Sequence, residues 1–481
     1  MVKPKLKNIT SWIVLLLPAI LPLSAQERFG ITPSNYYCSS GIFLNPASSV
    51  DSKTYMQLNV AGAGAFFYNN MFYLPKYTFW KSGSVSMNTL AGSLNKSQYK
   101  KFLFASGSAD GPSFVMNREH LGFGLFMRAR MVVDARSLPN ELVELLFTNN
   151  KSAILNQGSV NVKSLKLSAM SWMEFGANIA AITKKQDKDM WIFGANIRYL
   201  SGLSIMYAHL ANLNGSLTDT AFSLNTAEAR LRYNKLAINS GKGGAVDVGL
   251  TYKKMLKSVT NYYPNSPKSS CQHIDYKYKA SAVLRDLGVI QFSKGANLVD
   301  ANSSGNIAPG DLLNNSQYDI QNKLGYTAFE GPVYAVLPTN LSAQFDWNFE
   351  NHIYLSGTLV KNLVWKKLTG VGAMDVLSVS PRMEYKNWEV AMPLAFQKFI
   401  HPQLGVAARY RGFAIGFDNL FPLFLSKPKT YGVGVYFNLV ASLYKNPACS
   451  SGLRKQRAVR CAPKHQTAHH VSLWRRFVKK R

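Results

Sequence analysis

Apolar side chains recur at every second position over much of this chain, most regularly in its last third. Trp388, Val390, Met392, Leu394 and Phe396 alternate with Glu389, Ala391, Pro393, Ala395 and Gln397. Tyr431, Val433, Val435, Phe437 and Leu439 alternate with Gly432, Gly434, Tyr436 and Asn438. Successive side chains of a pleated backbone point to opposite faces, so a period of two predicts strands. The pattern recurs earlier, from Leu121 to Met131, Met173 to Ile179, Trp191 to Tyr199, Val246 to Tyr252, Ile274 to Leu284 and Leu341 to Phe349. We count roughly 14 to 16 such segments, at lengths near the ~9–11 residues of a tilted membrane-crossing strand.

The opposite face carries Arg128, Arg130, Glu174, Arg198, Asp247, Lys253, Asp275, Arg285, Asp346, Glu350, Arg382, Glu384, Glu389, Arg409, Arg411 and Asp418, with glycines such as Gly122, Gly194 and Gly249 among them. In a soluble sandwich such a face would meet water. In a membrane barrel it lines the lumen while the apolar face meets lipid. Opposite charges there can cross-link strands, and glycines leave room between them. An ion-paired lining is the plainer reading of these residues, ahead of a substrate-selective one. The expected fold is therefore all-β, an antiparallel transmembrane β-barrel over residues 54–445.

Several stretches break the alternation. Residues 26–53 are irregular. Residues 64–80 are dense in aromatics, from Phe66 to Trp80, as suits an interfacial girdle, with core packing as the bland alternative. Residues 91–118 read as loop or short helix. Leu138, Leu142, Leu145 and Leu146 fall at helical spacing behind Pro139, predicting a short amphipathic helix. Residues 286–340, rich in Asn, Ser, Gly and Pro, read as an extracellular loop or lumenal plug.

The termini change the picture further. Lys3, Lys5 and Lys7 precede a short apolar stretch, Trp12 to Leu23, and Ser24-Ala25 forms a cleavage site before Gln26, so residues 1–25 read as a signal peptide. The formal net charge is +30, but its distribution argues against a nucleic-acid stripe. Three of the 55 basic residues lie in the signal, eleven lie in residues 445–481 without any acid, and the other 41 face all 25 acids. The tail, residues 446–481, therefore reads as a basic, disordered extension able to reach anionic periplasmic partners such as cell-wall polymer or lipid headgroups.

Catalytic chemistry is not legible. There is no G-x-S-x-G, H-E-x-x-H, P-loop or C-x-x-C, so no catalytic residue, metal site or cofactor is expected. Four cysteines are too few for a disulfide scaffold; the tail pair Cys449 and Cys461 is one candidate bond, and four free thiols is the alternative.

Three segments carry a resemblance: Gly41 to Asp51 (GIFLNPASSVD), Leu138 to Asn150 (LPNELVELLFTNN) and Arg409 to Phe421 (RYRGFAIGFDNLF). They resemble an uncharacterised, Bacteroidetes-type family of outer-membrane barrels, over most of residues 27–445. The triplet Asn45-Pro46-Ala47 is also similar to the N-terminal segment of FadL-type fatty-acid channels and of related secretion-system barrels. That likeness implies a hatch in residues 26–53, with Asn45, Pro46 and Ala47 shaping a plug. The expected function is an outer-membrane channel for hydrophobic or small solutes, with lipid as its surroundings. The rival is a non-transporting structural or assembly barrel of a secretion or motility machine, docking a partner through the tail. A barrel lipase or protease lacks an active-site set.

Overall fold

The computed structural model describes residues 28–50, 52–73, 94–95, 100–140, 143, 159–217, 222–269, 271–294, 296–307, 326–421 and 431–449. The signal sequence, residues 74–93, most of the helix expected at 138–147, and the tail after Cys449 lie outside them. Of that helix, Val143 donates its N–H to the Pro139 carbonyl, as one helical turn requires.

The strands form one antiparallel sheet that closes on itself. β1 (Met56–Asn69) pairs with β2 (Lys101–Asp110) and, further down, with β3 (Ser113–Arg118). Both lie against β4 (Leu121–Leu138), followed around the ring by β5 (Ser159–Gln186), β6 (Asp189–Leu217), β8 (Gly241–Met255) and β9 (Tyr276–Phe292). Next come β13 (Asn340–Asn348), β14 (Ile353–Asn362) and β15 (Val376–Glu384). β16 (Trp388–Ala391) with β17 (Leu394–Gln397) makes the next stave, and β18 (His401–Leu404) with β19 (Val406–Tyr410) the one after. β20 (Phe413–Phe417) and β21 (Gly432–Leu443) bring the ring back to β1. The closed barrel has 14 strands, within the range read from the sequence. Outside the ring, β7 (Phe222–Asn234), β10 (Ala296–Ile307) and β11 (Tyr326–Glu330) extend the sheet from the upper part of β6, and β12 (Val333–Val336) pairs with the end of β9.

Closure removes every sheet edge from the ring, which is what permits strands to cross a membrane. The outer surface is the apolar face of the alternation. Leu125, Ile179, Ile197, Leu250, Phe345 and Leu439 are exposed along the staves. Of the aromatic stretch 64–80, residues 74–80 lie outside the described residues. Phe66, Tyr68 and Phe72 are buried inside, so core packing holds there. The outward aromatic ladder runs instead across β6, β8, β9 and β13. Trp191 meets Tyr252 at 4.9 Å between ring centroids, and Tyr278 stacks on Trp347 at 5.8 Å.

Two loop expectations change. Residues 91–118 contain β2 and β3, and residues 286–340 contain the end of β9 with β10, β11 and β12. The cause in β9 is a bulge. Val246 pairs with Leu287 while Val248 pairs with Leu284, so Asp247 faces both Arg285 and Asp286, and Asp286 adopts φ 55°. Both residues then point inward, and the outward series resumes one position out of phase, at Leu287 and Val289. A second shift, between Lys254 and Met255, turns Tyr276 inward and ends the alternation expected from Ile274.

At one end most staves are joined by short turns, such as Asp187–Lys188, with the 256–275 loop as an exception; the other end carries long connections, such as 363–375, beside the short turn 398–400. Glu350 and Arg411, expected in the lumen, occupy short turns at positive φ and are exposed. Cys449 is bonded to Cys271 in the 256–275 loop, not to Cys461, with Cα atoms 6.0 Å apart; Cys38 is a free, buried thiol.

Candidate functional site

Residues 28–50 fill the lower lumen. Helix α1 (Cys38–Leu44) and a 3-10 turn, Pro46–Ser49, are enclosed by the staves, with Phe29, Ile31, Tyr37, Ile42, Leu44 and Val50 buried. Asn45 ends the helix and starts the turn: its Oδ1 accepts the N–H of Ala47 at 3.0 Å, and its Nδ2 donates to Thr251 Oγ1 at 2.9 Å. Pro46 fits at the first position of the turn because no N–H is needed there. Its carbonyl accepts from Asn178 Nδ2 at 3.0 Å.

This turn lies directly on three wall glycines. A Cβ at Gly194 would lie 2.5 Å from the Pro46 carbonyl carbon, one at Gly249 2.7 Å from Asn45 Oδ1, and one at Gly122 2.6 Å from the Val50 nitrogen. No side chain fits at such distances, so the alternation of glycine with Phe123, Phe193 and Leu250 is the imprint of the plug on the wall. Asn45, Pro46 and Ala47 are thus brought together with the inward faces of β4, β6 and β8.

Around and above the plug the charged face pairs off. Arg130 contacts Asp286 at 2.7 Å and Glu174 at 3.1 Å; Arg198 contacts Asp286 at 2.8 Å, Glu174 at 3.3 Å and also Asp247. Trp172 donates its indole N–H to Glu174 at 2.7 Å. Arg128 and the plug's own Arg28 share Asp110, at 3.1 and 2.6 Å. Across the lumen Arg382 bridges Asp346 at 2.7 Å and Glu384 at 3.1 Å, and Arg409 meets Glu389 at 3.1 Å. The plug joins these groups too: Ser34 donates to Glu389 at 2.6 Å, and the Asn35 N–H to Glu384 at 3.2 Å. Lys53, where the plug leaves the lumen, lies 2.7 Å from Asp275 and 4.0 Å from Glu384. Burial works against the charge of Lys53, but Glu384 and Asp275 outweigh it and hold the ammonium above its usual range. Asp418 is buried beside Gly434, where a Cβ would meet its carboxylate.

Every charged residue expected in the lumen between Arg128 and Asp418 is therefore inside, apart from the turn residues Glu350 and Arg411 and the partly exposed Asp275. Several partners are absent from the sequence reading. Asp110 sits in a stretch taken as loop, Asp286 follows the bulge, and Arg28 and Asn35 belong to the irregular N-terminal segment. The resumed alternation at Leu287, Val289 and Gln291 was the available signal for Asp286.

The upper lumen differs from the expected polar lining. Phe66, Tyr68, Phe104, Val132, Trp172, Leu200, Ile290, Phe292 and Val360 point inward and form one apolar cluster, which Phe29 joins from the plug. The 363–375 connection folds over this layer and places Val371 and Met374 in it. It reaches from β14 to staves on the other side of the ring. The Leu368 carbonyl accepts from Lys166 at 3.4 Å, the Gly370 carbonyl from Ser168 at 2.7 Å, and the Gly372 N–H donates to Asp134 at 3.1 Å. Arg136, Asp134 and Tyr207 complete this attachment, the tyrosine donating to the Lys366 and Lys367 carbonyls at 3.3 Å. Between plug and loop remains a cavity of about 70 Å³, with Arg28, Arg128, Arg130, Phe43, Phe104 and Met374 in its wall.

No curated protein matches the chain. Among solved structures it is similar to a FadL homologue of Pseudomonas aeruginosa, at 10% identity over 89% of this chain and 99% of that one, with a TM-score of 0.41. The toluene transporter TodX of P. putida is similar at 10% identity over 85% and 94%, with a TM-score of 0.39. The toluene transporter TbuX of Ralstonia pickettii is similar at 12% identity over 84% and 92%, with a TM-score of 0.36. A family profile matches residues 46–418, from the plug triplet to the last charged residue of the lumen, and the chain belongs to that family, DUF5723, a family of unknown function.

Proposed function

We propose that this protein is a passive channel of the bacterial outer membrane for small apolar solutes, closed at rest by its N-terminal plug. Short turns at one end and long connections at the other give the orientation usual for outer-membrane barrels, short turns to the periplasm. The observation that carries the reading is the apolar layer in the upper lumen. An ordinary water-filled pore has no use for inward Phe66, Phe104, Ile290 and Phe292. A hydrophobic solute entering from outside would find there a site that replaces water contacts with apolar ones. Below it the plug must shift for passage, because its turn sits against the wall. Single-channel conductance and toluene uptake into proteoliposomes test this. A chain lacking residues 28–50 should conduct where the full chain does not; equal and negligible flux in both would overturn it.

A second reading, a structural barrel that docks a periplasmic partner through its basic tail, rests on one observation. The disulfide Cys271–Cys449, with the bond from Asn446 Nδ2 to the Asn265 carbonyl at 3.1 Å, fixes the root of the tail to the periplasmic 256–275 loop. Pull-down with and without residues 450–481 tests it. A periplasmic partner lost on truncation, with no solute flux in either form, would favour this reading over the channel.

A further inference from the structure

Among the described residues, the cations beneath the 363–375 connection outnumber their counter-charges. Arg136 contacts Asp134 at 2.7 Å, and fully buried Lys166 reaches the same carboxylate only at 3.9 Å. Lys366 bonds the neutral Ser137 hydroxyl, and Lys398 lies over the Phe102 ring, 3.2 Å from its centroid. Both lysines are within electrostatic reach of Arg136 and Asp134. Asp375, the other described carboxylate near Lys398, already holds Lys361 at 2.9 Å. Elsewhere in the lumen the guanidinium groups of Arg130, Arg198, Arg382 and Arg409 each have a carboxylate within 3.3 Å or less. Gathering like charges in a water-poor space is unfavourable unless a counter-ion joins them. The cluster also borders the apolar layer, through Phe102 and through Val371 of the connection.

We propose that Arg136, Lys166, Lys366 and Lys398 form a binding site for an oxyanion that carries a small apolar group, such as an aromatic carboxylate. The guanidinium and ammonium groups take the carboxylate, as charge-assisted donors do. The ring lies against Phe102 and Val371. Occupancy competes with Asp134 for the same cations, so it loosens the connection that Asp134, Lys166 and Arg136 hold in place. The solute thereby opens its own entrance from the outside. This goes beyond the channel reading, and binding need not lead to passage.

Isothermal titration of the folded full-length barrel in detergent, with benzoate, inorganic phosphate and toluene as separate probes, tests the site. Benzoate should bind saturably at one site, more tightly than either phosphate or toluene. Lys166→Gln and Lys398→Gln should each weaken it by about tenfold, the usual loss for one charge-assisted contact. Lys268→Gln, at the periplasmic end, removes the same charge and should change nothing. Heat-shifted gel mobility establishes that each variant is folded; if Lys166→Gln is not, Lys398→Gln alone carries the test. Absence of saturable benzoate binding would overturn the proposal. So would benzoate affinity unaltered in a folded variant, or toluene or phosphate bound as tightly as benzoate. The readout is binding and not flux, so failure here leaves the channel reading standing, and failure of conductance leaves this site standing.

Discussion

The lower and upper halves of the lumen are closed by opposite means. Below, the plug is held by ion pairs and hydrogen bonds that need two partners each: Arg28 with Asp110, Ser34 with Glu389, Asn35 with Glu384. Above, apolar side chains pack without direction, and the 363–375 connection is attached mainly through its backbone carbonyls and N–H groups. A buried charge left without its partner is far more unfavourable than a lost contact between neutral groups, so the lower half is specific in position and intolerant of change. The upper half has fewer such constraints and can rearrange at lower cost. A channel needs both, a seal that stays in register and an entrance that yields.

Replacing Arg198 breaks the comparison most severely. It touches Asp247, Glu174 and Asp286 at once; Arg198→Met would leave Arg130 on Glu174 and Asp286 and would take this guanidinium from all three buried carboxylates. The expected loss is about 3–5 kcal/mol, the usual result of removing one partner from a buried ion pair. Urea unfolding in detergent, followed by gel mobility, checks it. A loss under 1 kcal/mol would mean that water reaches these groups freely and that the lower half is no seal.

Phe104→Ala, in the upper layer, deletes an aromatic side chain against Phe66, its ring 6.4 Å away. The range for such a core change is about 3–5 kcal/mol, with the low end expected where neighbours can collapse into the space. Its cavity should stay open to apolar solutes, so toluene should recover part of the lost stability. The same addition should do nothing for Arg198→Met. Recovery in both variants would show that the two halves do not differ in kind.

Gly194→Val sharpens the comparison from the plug's side. The new side chain must displace Pro46 and Ala47, at a cost of about 1–3 kcal/mol, typical of overpacking. The ring of staves has no reason to open, so heat-resistant mobility should persist while conductance rises. An unaltered, silent channel would mean that the turn at Asn45–Ala47 is not what holds the plug in place.

How far this was legible in the chain follows the same division. The alternation of apolar and charged positions revealed the staves, the lining from Arg128 to Asp418, and the glycine face that the plug occupies. It missed Asp286 because a bulge shifts the phase by one residue, and a period-two reading ends where the phase changes. Phe66 and Tyr68 are a separate case. Their aromatic density suggests an interfacial girdle, and the alternative, core packing, holds for them because the upper lumen itself is apolar. The attachment of the 363–375 connection left no mark, since backbone carbonyls belong to every residue. The period-two reading places Tyr276 outward because it does not include the second bulge, whereas its hydroxyl donates to Asp346 at 2.6 Å and also meets Asn35 of the plug.

The smallest expected effect concerns that attachment. Ser168→Ala removes one donor to the Gly370 carbonyl, and Tyr207→Phe removes the donor to the Lys366 and Lys367 carbonyls. Each neutral hydrogen bond contributes about 0.5–1.5 kcal/mol net, and Lys366 and Lys367 are exposed enough for water to reach their carbonyls. Global stability should therefore change little in the double variant. Hydrogen exchange should nonetheless speed up in residues 368–373, while the amides of the plug, such as Ala47 and Asn45, stay protected. Local opening free energies are read by exchange even when global unfolding is unmoved. If the plug amides lose protection together with the connection, the two closures are one cooperative unit. The entrance could then not yield without breaking the seal, and the solute would have to release both at once.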